Sequence, residues 1–299
     1  MPTGLPQDSK NPRLHFDIYA MLEGSQELYF GHEVQVNVNL VETVKLSTIG
    51  GQSLEKCYIS PTKRRGVERR CLIWAPVKSG VLLGDQQKCG IPKTCTEPDC
   101  PICAPYGGLL AGSKTLIGRV THGGGVAVQE SLPAEKQRAM HPAIISSEGV
   151  KGDDKETPTP FKREYNQPGI LYPVYNHGVS ITDAEFSSVA YAFLDSLPRI
   201  GAGNPKGLAI AEEPTSQTPL LVVDRYLSPR GKRPIISPSK TNPQTAIDDF
   251  MRLAKYPQEP AEKIEHIEQS NFDRWIGNTA LEKLQDYASQ FVDEVLQVR

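Results

Sequence analysis

The sequence has no long hydrophobic run. Its longest uninterrupted apolar stretch is the six residues from Val189 to Leu194, whereas a membrane-spanning helix needs about 20. Residues 1–10 also lack the charged start and apolar stretch of a secretory signal peptide. We therefore expect a cytoplasmic protein without a membrane partner.

Familiar catalytic signatures are also missing. There is no HExxH motif, and His122, which precedes three glycines, has no serine or cysteine with a nucleophile signature beside it. The pairs Asp153-Asp154 and Asp248-Asp249 lie in acidic contexts, and adjacency alone does not place two carboxylates on one metal ion. Enzymatic activity is poorly supported, and no catalytic residue is assigned.

The chain of 299 residues has little net charge, −2, which by itself argues against a nucleic-acid partner. The charge is unevenly distributed, however. Residues 56–88 carry eight bases against two acids, a balance of +6, and residues 244–299 carry eleven acids against six bases, a balance of −5. The first segment could bind a polyanion while the second repels it or meets a basic neighbour, and two unrelated solvated surfaces are the alternative.

Hydrophobic periodicity predicts both strands and helices. Residues 14–22 and 33–41 alternate apolar and polar side chains, and residues 171–181 and 219–226 also have strand character. A helix should begin after Thr182, because Glu185 lies at the spacing of a capping box. Further helices should start near Pro243 and at Thr279, the latter with a capping pair to Glu282. This order of elements favours an α+β fold over regular βαβ alternation.

Composition divides the chain into segments. Residues 42–130 are rich in Gly, Lys, Arg and Cys, show no helical period, and are predicted to form loops and short strands of a basic, cysteine-rich insertion. Residues 131–169 are proline-rich and partly acidic, which is typical of a flexible insertion. Residues 240–299 should form an acidic helical part. We expect one elaborated domain over residues 1–299 instead of two domains.

Four cysteines have metal-site spacing. Cys89, Cys95, Cys100 and Cys103 form the pattern C-x5-C-x4-C-x2-C, and four thiolates would make a closed, structural Zn²⁺ site. Disulfides are disfavoured without a secretion signal, and a redox CxxC lacks the helix expected after it. Four unligated cysteines remain the alternative, because the first spacing is wider than usual for zinc.

A basic run in residues 63–70 is the first candidate for RNA binding. It suits a mobile loop that neutralises phosphates without reading bases. Aromatic residues nearby are limited to Tyr58 and Trp74, so base stacking should be minor. A solvated charge run is the alternative. The candidate residues are Lys63, Arg64, Arg65, Arg69 and Arg70.

A glycine-rich turn over residues 199–207 is the second candidate. It follows a predicted helix end, so it matches neither a dinucleotide fingerprint nor a P-loop. Its backbone can approach a ligand closely, and a helix C-cap with a long turn is the alternative. The candidate residues are Arg199, Gly201, Gly203, Lys206 and Gly207.

The order of these motifs resembles that of the backbone subunits of class 1 CRISPR effector complexes, over roughly residues 33–225. The type I-D subunit is the most similar, and type III and type IV subunits are neighbours. A short segment at residues 48–51 stands in place of the family's TIPRTDG and lacks its arginine. The matching segments are Cys100-Pro-Ile-Cys103, Tyr106-Gly107, Gly112-Ser113-Lys114, Pro168-Gly-Ile-Leu-Tyr172-Pro173 and the glycine turn.

The resemblance implies a fold and a function. The family belongs to the RAMP superfamily, which has a modified RNA-recognition (ferredoxin-like) core with finger and thumb insertions. Several copies polymerise along CRISPR RNA with other effector subunits and present the guide to a target strand. The resemblance places Gly201, Gly203, Lys206 and Gly207 near the guide, and the role of the basic run is inferred from charge alone. Alternatives are a subunit that also cleaves the paired target, for which no acid can be named, and a zinc-stabilised protein-interaction module without nucleic acid.

Overall fold

A computed structural model of the chain describes residues 12–35, 38–47, 50–51, 53–130, 133–139, 160–202, 206–256, 266–269 and 271–297. The strands are β1 (Leu14–Glu23), β2 (Gly31–Gln35), β3 (Val38–Val41), β4 (Thr43–Ser47), β5 (Ser53–Cys57), β6 (Gly108–Leu110), β7 (Lys114–Leu116), β8 (Val120–Gly124), β9 (Ala134–Ala139), β10 (Pro160–Tyr165), β11 (Leu171–Ile181), β12 (Ala209–Ile210), β13 (Leu221–Tyr226), β14 (His266–Gln269) and β15 (Phe272–Ile276). The helices are α1 (Pro61–Ile73), α2 (Leu83–Gln86), α3 (Cys103–Tyr106), α4 (Asp183–Ser196), α5 (Pro243–Ala254) and α6 (Asn278–Phe291). Among the described residues, every helix is too short or too polar to cross a bilayer.

Six elements form the centre of the fold, in the chain order β1-α1-β8-β11-α4-β13. Their strands lie side by side in the order β13-β1-β11-β8, and every neighbouring pair is antiparallel. Helix α1 joins β1 to β8, which lie on either side of β11, and α4 joins β11 to β13, which lie on either side of β1. This is the split βαβ arrangement. This is a ferredoxin-like core, and the predicted α+β fold class is confirmed.

Strand β1 shows how the sheet supports a different layer on each face, because successive side chains point to opposite sides. Phe16 faces the helices and stacks on Phe186 of α4, with ring centroids 4.1 Å apart. Tyr19 and Met21 face the other way and join a buried cluster that includes Phe250 of α5. Helices α1, α4 and α6 therefore lie on one face, and α5 covers part of the other.

The remaining strands extend this sheet or form smaller ones. Strands β15 and β14 continue it beyond β13, and β2, β3, β10 and β9 form a second sheet in that order. The single strand predicted over 33–41 is wrong. Its two ends are β2 and β3, which pair antiparallel with Val34 opposite Asn39, and residues 36–37 lie outside the described residues.

Helix α1 is the largest departure from the loops predicted over 42–130. Pro61, whose fixed φ suits a first helical turn, begins it directly after Ser60. The buried positions have helical spacing, but two of the six are charged, so hydrophobic periodicity does not reveal them. The basic run is therefore on a helix and not on a mobile loop. The buried residues are Arg64, Val67, Glu68, Cys71, Leu72 and Ile73.

The two later segments are partly as expected. Within 131–169, β9 and β10 pair antiparallel, and residues 131–132 and 140–159 lie outside the described residues. In the C-terminal part, α5 and α6 match the predicted helices, whereas β14 and β15 between them were not predicted. The capping pair of Thr279 and Glu282 is wrong, because α6 begins at Asn278 after Gly277, whose φ of 62° favours glycine.

The predicted start of α4 is confirmed as a capping box. The Thr182 hydroxyl accepts a hydrogen bond from Glu185 N at 3.1 Å, and Glu185 Oε2 accepts one from Thr182 N at 2.8 Å. Thr182→Ala is expected to lower the free energy of unfolding by about 1 kcal/mol, because the Glu185 amide loses its acceptor. Thr182→Ser keeps the oxygen and should resemble the wild type in urea unfolding. Equal losses in both variants would contradict the capping role.

Candidate nucleic-acid groove and metal centre

The four predicted metal ligands converge beside the C-terminal half of α1. All four Sγ atoms lie within 4.8 Å of one another, with Cys103 Sγ 3.3 Å from Cys89 Sγ and 3.7 Å from Cys95 Sγ. Thiolates about 2.3 Å from a tetrahedral zinc ion would lie roughly 3.8 Å apart, so this arrangement fits a metal ion. All six cysteines of the chain are free thiols.

Local geometry holds the cysteines in place. Cys103 begins α3, and its backbone N–H donates to Cys100 Sγ at 3.4 Å. Gly107, with a φ of 75°, ends this single turn of helix. A Cβ on Gly108 would lie 3.0 Å from Cys103 Sγ and 3.0 Å from Thr94 Oγ1, so the absence of a side chain there lets the chain pass close to the cluster.

A cation lies beside the cysteine cluster, and the four thiols interact strongly with one another. The Arg69 Nη2 atom lies 4.0 Å from Cys89 Sγ and 3.9 Å from Cys103 Sγ. Hydrogen bonds among the thiols, with Cys100 the largest contributor, lower the pKa of Cys89 below its usual range and the pKa of Cys103 to about 7. The pKa values of Cys95 and Cys100 are raised above the usual range of a thiol. The thiolate is the form that ligates a metal, so the donor set and its partners fit a zinc ion.

The basic residues of α1 have different environments. Arg64 is 1% exposed and donates to Tyr175 O at 2.9 Å and to Asn176 Oδ1 at 2.8 Å. Lys63 Nζ donates to Phe30 O at 2.8 Å and also pairs with Glu42. Because its guanidinium is turned into the fold, Arg64 is not part of the surface available to RNA.

The other three basic residues lie nearer the surface. Arg65 is exposed and donates to Tyr106 O, and Arg69 contacts the cysteine sulfur atoms. The half-buried side chain of Arg70 makes no hydrogen bond or ion pair with the described part of the chain. Of the five, Arg70 therefore has the guanidinium most available to a phosphate.

A buried polar network connects α1 to the sheet and the cysteine segment. Glu68 Oε2 accepts a hydrogen bond from Tyr106 OH at 2.8 Å and lies 2.8 Å from His122 Nε2. Asn176 Nδ2 lies 3.2 Å from both Glu68 oxygens. Burial alone raises the pKa of Glu68, but His122, Arg64 and the Tyr106 hydroxyl together hold it below its usual range. His122, conspicuous in the sequence, is thus a buried partner of a carboxylate.

The glycine turn packs against the segment after β1. Gly201 and Gly207 have φ angles of 124° and 112°, which favour glycine. Ala202 N donates to Tyr29 O at 2.9 Å. The exposed Arg199 is paired with Asp195 at 3.0 Å, which offsets its charge.

The other residues of the turn differ in accessibility. Lys206 is exposed, and its backbone carbonyl accepts a hydrogen bond from Gln26. Gly207 is buried, with its N–H donating to Ile200 O at 2.9 Å. Gly203 lies outside the described residues. Lys206 is therefore the cation of the turn that is most available to a ligand.

A groove of about 270 Å³ brings the two predicted segments together. Helix α1 forms one wall, the glycine turn forms the other, and the segment after β1 closes the groove. A Cβ on Gly201 would lie 3.6 Å from Lys206 Cγ, so this lysine borders the groove. The lining residues are Phe30, Gly31, Thr62, Lys63, Gly66, Val67, Arg70, Ile200, Gly201 and Ala202.

No protein-family model and no curated protein matches the sequence. Among solved structures, a type IV-B CRISPR complex chain is 14% identical with a TM-score of 0.40, covering 68% of this chain and 91% of that one. Csc2 of Thermofilum pendens is 13% identical with a TM-score of 0.43, and the match covers 98% of this chain and 81% of Csc2. A chain of a CRISPR RNA-guided surveillance complex in a pre-nicking state is 12% identical with a TM-score of 0.46, and the match covers 82% of this chain and 89% of that one.

Proposed function

We propose that this chain is a CRISPR RNA-binding backbone subunit of a class 1 effector complex, and that the groove between α1 and the glycine turn holds the guide by its sugar-phosphate backbone. The observation that carries the proposal is the groove itself, which joins a basic helix to a glycine turn on a ferredoxin-like core. The order of sequence motifs, which resembles that of the type I-D backbone subunit, supports the choice of family.

The chemistry of the groove suits phosphate. Arg70 offers a planar guanidinium for bidentate contact, and Lys206 adds a second cation at the rim. Gly201 presents backbone without a side chain, which permits close approach. The described residues that line the groove include no carboxylate, so the alternative of target cleavage has no acid to assign there.

The wider proposal concerns assembly. Copies of the subunit polymerise along the guide in the cytoplasm, together with other effector subunits, and expose the guide for pairing with a target strand. Zn²⁺ bound by the four cysteines holds the segment between α1 and β8 in shape. The acidic residues 240–299 lie away from the RNA or against the basic face of a neighbouring copy.

Loss of two groove charges tests RNA binding. Arg70→Gln/Lys206→Gln is expected to lower the affinity for single-stranded RNA at least about tenfold, because charge-assisted contacts to phosphate are lost. The slope of log affinity against log salt should also fall by roughly 1.4, which corresponds to two phosphates at about 0.7 each. Fluorescence anisotropy with a labelled oligonucleotide over a salt series measures both quantities.

A charge-matched variant supplies the control for this experiment. Lys232→Gln/Arg252→Gln removes two exposed positive charges from outside the groove lining and should leave the affinity near that of the wild type. Equal losses in the two double variants would contradict the groove assignment. Wild-type protein that purifies without RNA, judged by its absorbance ratio at 260 and 280 nm, and that binds none when it is added would favour the protein-interaction alternative.

A further inference from the structure

A second cavity continues the groove along α1. It has a volume of about 660 Å³ and lies between the end of α1 and residues 82–91. Arg70 lines both cavities, and Trp74 lines the second. Gly66, Arg70 and Trp74 are four residues apart, and Trp74 N still donates to Arg70 O at 2.9 Å, so they follow one helix face at intervals of about 6 Å.

The second cavity combines an exposed aromatic ring with cations. Trp74 is 56% exposed, although tryptophan is on average a highly buried residue. Leu82 and Ile91, also exposed, contribute further apolar lining. Arg70 and Lys88 supply two positive charges against the single carboxylate of Asp85.

We propose that this cavity is a nucleobase subsite, in which the Trp74 indole stacks on a base of single-stranded RNA whose phosphate is held by Arg70. One helical turn between Arg70 and Trp74 is comparable with the span from phosphate to base within a nucleotide. Stacking on an aromatic ring tolerates any base, so it suits a protein that leaves sequence to base pairing. This subsite rests on the proposed RNA-binding function and adds a base contact to it.

The charge of the cavity favours this occupant over an apolar protein segment. The apolar surface of Trp74 and Ile91 alone would suit either a nucleobase or an apolar protein segment. The guanidinium of Arg70, which has no partner among the described residues and also lines the phosphate groove, favours an anion beside the apolar surface, and a nucleotide supplies both an anion and a flat ring. The sequence alone predicts only minor stacking, because it does not show that Trp74 follows Arg70 on the same helix face.

Tryptophan fluorescence reports on the subsite directly. The chain has two tryptophans, and Trp275→Phe leaves Trp74 as the only source of tryptophan fluorescence. Titration of this variant with an oligouridylate is expected to quench the emission as the base stacks on the indole. An abasic oligonucleotide of equal length carries the phosphates without the bases, and we expect it to bind without quenching.

Affinity measurements separate this proposal from the proposed function. Trp74→Ala should lower the affinity for oligouridylate about tenfold and leave the affinity for the abasic strand unchanged, whereas Trp74→Phe should retain most of the binding. Ile117→Ala, which removes an 84% exposed apolar side chain outside the cavity lining, is the control.

Each other outcome has a distinct meaning. If Arg70→Gln weakens binding and Trp74→Ala does not, the base subsite is overturned and the RNA-binding function stands. Equal losses on both strands would also overturn the subsite, because they assign Trp74 to folding or to general attraction. If the wild type binds neither strand, both proposals are overturned.

Discussion

Replacing Cys103 by serine is expected to abolish metal binding and to destabilise the segment between α1 and β8 by about 4–5 kcal/mol or more. Cys103 Sγ lies near two other ligands of the cluster, and the residue begins α3. A serine hydroxyl is a poor substitute for a thiolate on zinc, so the remaining three ligands would hold the ion weakly.

The large destabilisation expected for Cys103→Ser follows from the small amount of regular structure in the segment between α1 and β8. Helices α2 and α3 are four residues long, too short to be stable on their own. The segment instead packs through a buried cluster in which Cys89, Cys100 and Cys103 lie against Leu72 and Phe291. These cysteines are therefore also core residues, and loss of a metal ion bound by them would disturb the packing around them.

Metal analysis and thermal unfolding together test this prediction. The wild type should carry about one zinc ion per chain, and a chelator should lower its Tm. Cys103→Ser should carry none and be insensitive to the chelator. Cys71→Ala removes a buried thiol of α1 outside the cluster, so it should lose some stability and keep the metal. Wild type without metal, or Cys103→Ser with full metal content, would contradict the assignment.

The cysteine cluster and the groove share helix α1. Arg69 contacts the sulfur atoms, and Arg65 donates to the carbonyl of Tyr106, which follows the last cysteine. Lys63 and Arg70, which are two turns apart on another face of α1, line the groove. The cysteine segment thus fixes the position of a helix whose opposite side meets the proposed ligand, although no cysteine lines the groove itself.

Local patterns account for most of what the sequence predicted correctly. The sequence of β1 begins with alternating apolar and polar residues, and that of β13 begins with a short apolar run. The capping box of α4 needs only Thr182 and Glu185. The cysteine cluster is encoded by spacing. The alternation over 33–41 was misleading because β2 and β3 both alternate, so the sequence pattern alone does not separate the two strands.

Non-local pairing accounts for what the sequence did not show. Helix α1 was missed because Arg64 and Glu68 occupy core positions, and their partners come from β8, β11 and α3. The groove could be predicted only in outline for a similar reason. Composition marks residues 63–70 as basic. Only the position of each residue around the helix, and the acceptors that β11 offers to Arg64, decide that Arg64 is buried whereas the Arg70 side chain has no polar partner among the described residues.

The buried network predicts a second large effect, at Glu68. Glu68→Ala is expected to lower the free energy of unfolding by about 3–5 kcal/mol, because it leaves the buried Arg64 and His122 without their carboxylate. Glu68→Gln keeps an oxygen acceptor and should lower the free energy of unfolding by less than Glu68→Ala does. Glu97→Ala, which removes an exposed acid paired with Lys114, should change stability by no more than about 0.5 kcal/mol. Urea unfolding at pH 7 measures all three variants.

The pH dependence distinguishes the charge of Glu68 from its packing. A carboxylate whose pKa is lower in the folded state stabilises the fold above its unfolded pKa of about 4.5, and this stabilisation is lost as the pH falls through the folded pKa. The stability difference between wild type and Glu68→Gln should therefore shrink as the pH is lowered from 5 to about 3. A difference that persists unchanged over this range would show that shape and hydrogen bonding, and not the ionised carboxylate, hold α1 against β8 and β11.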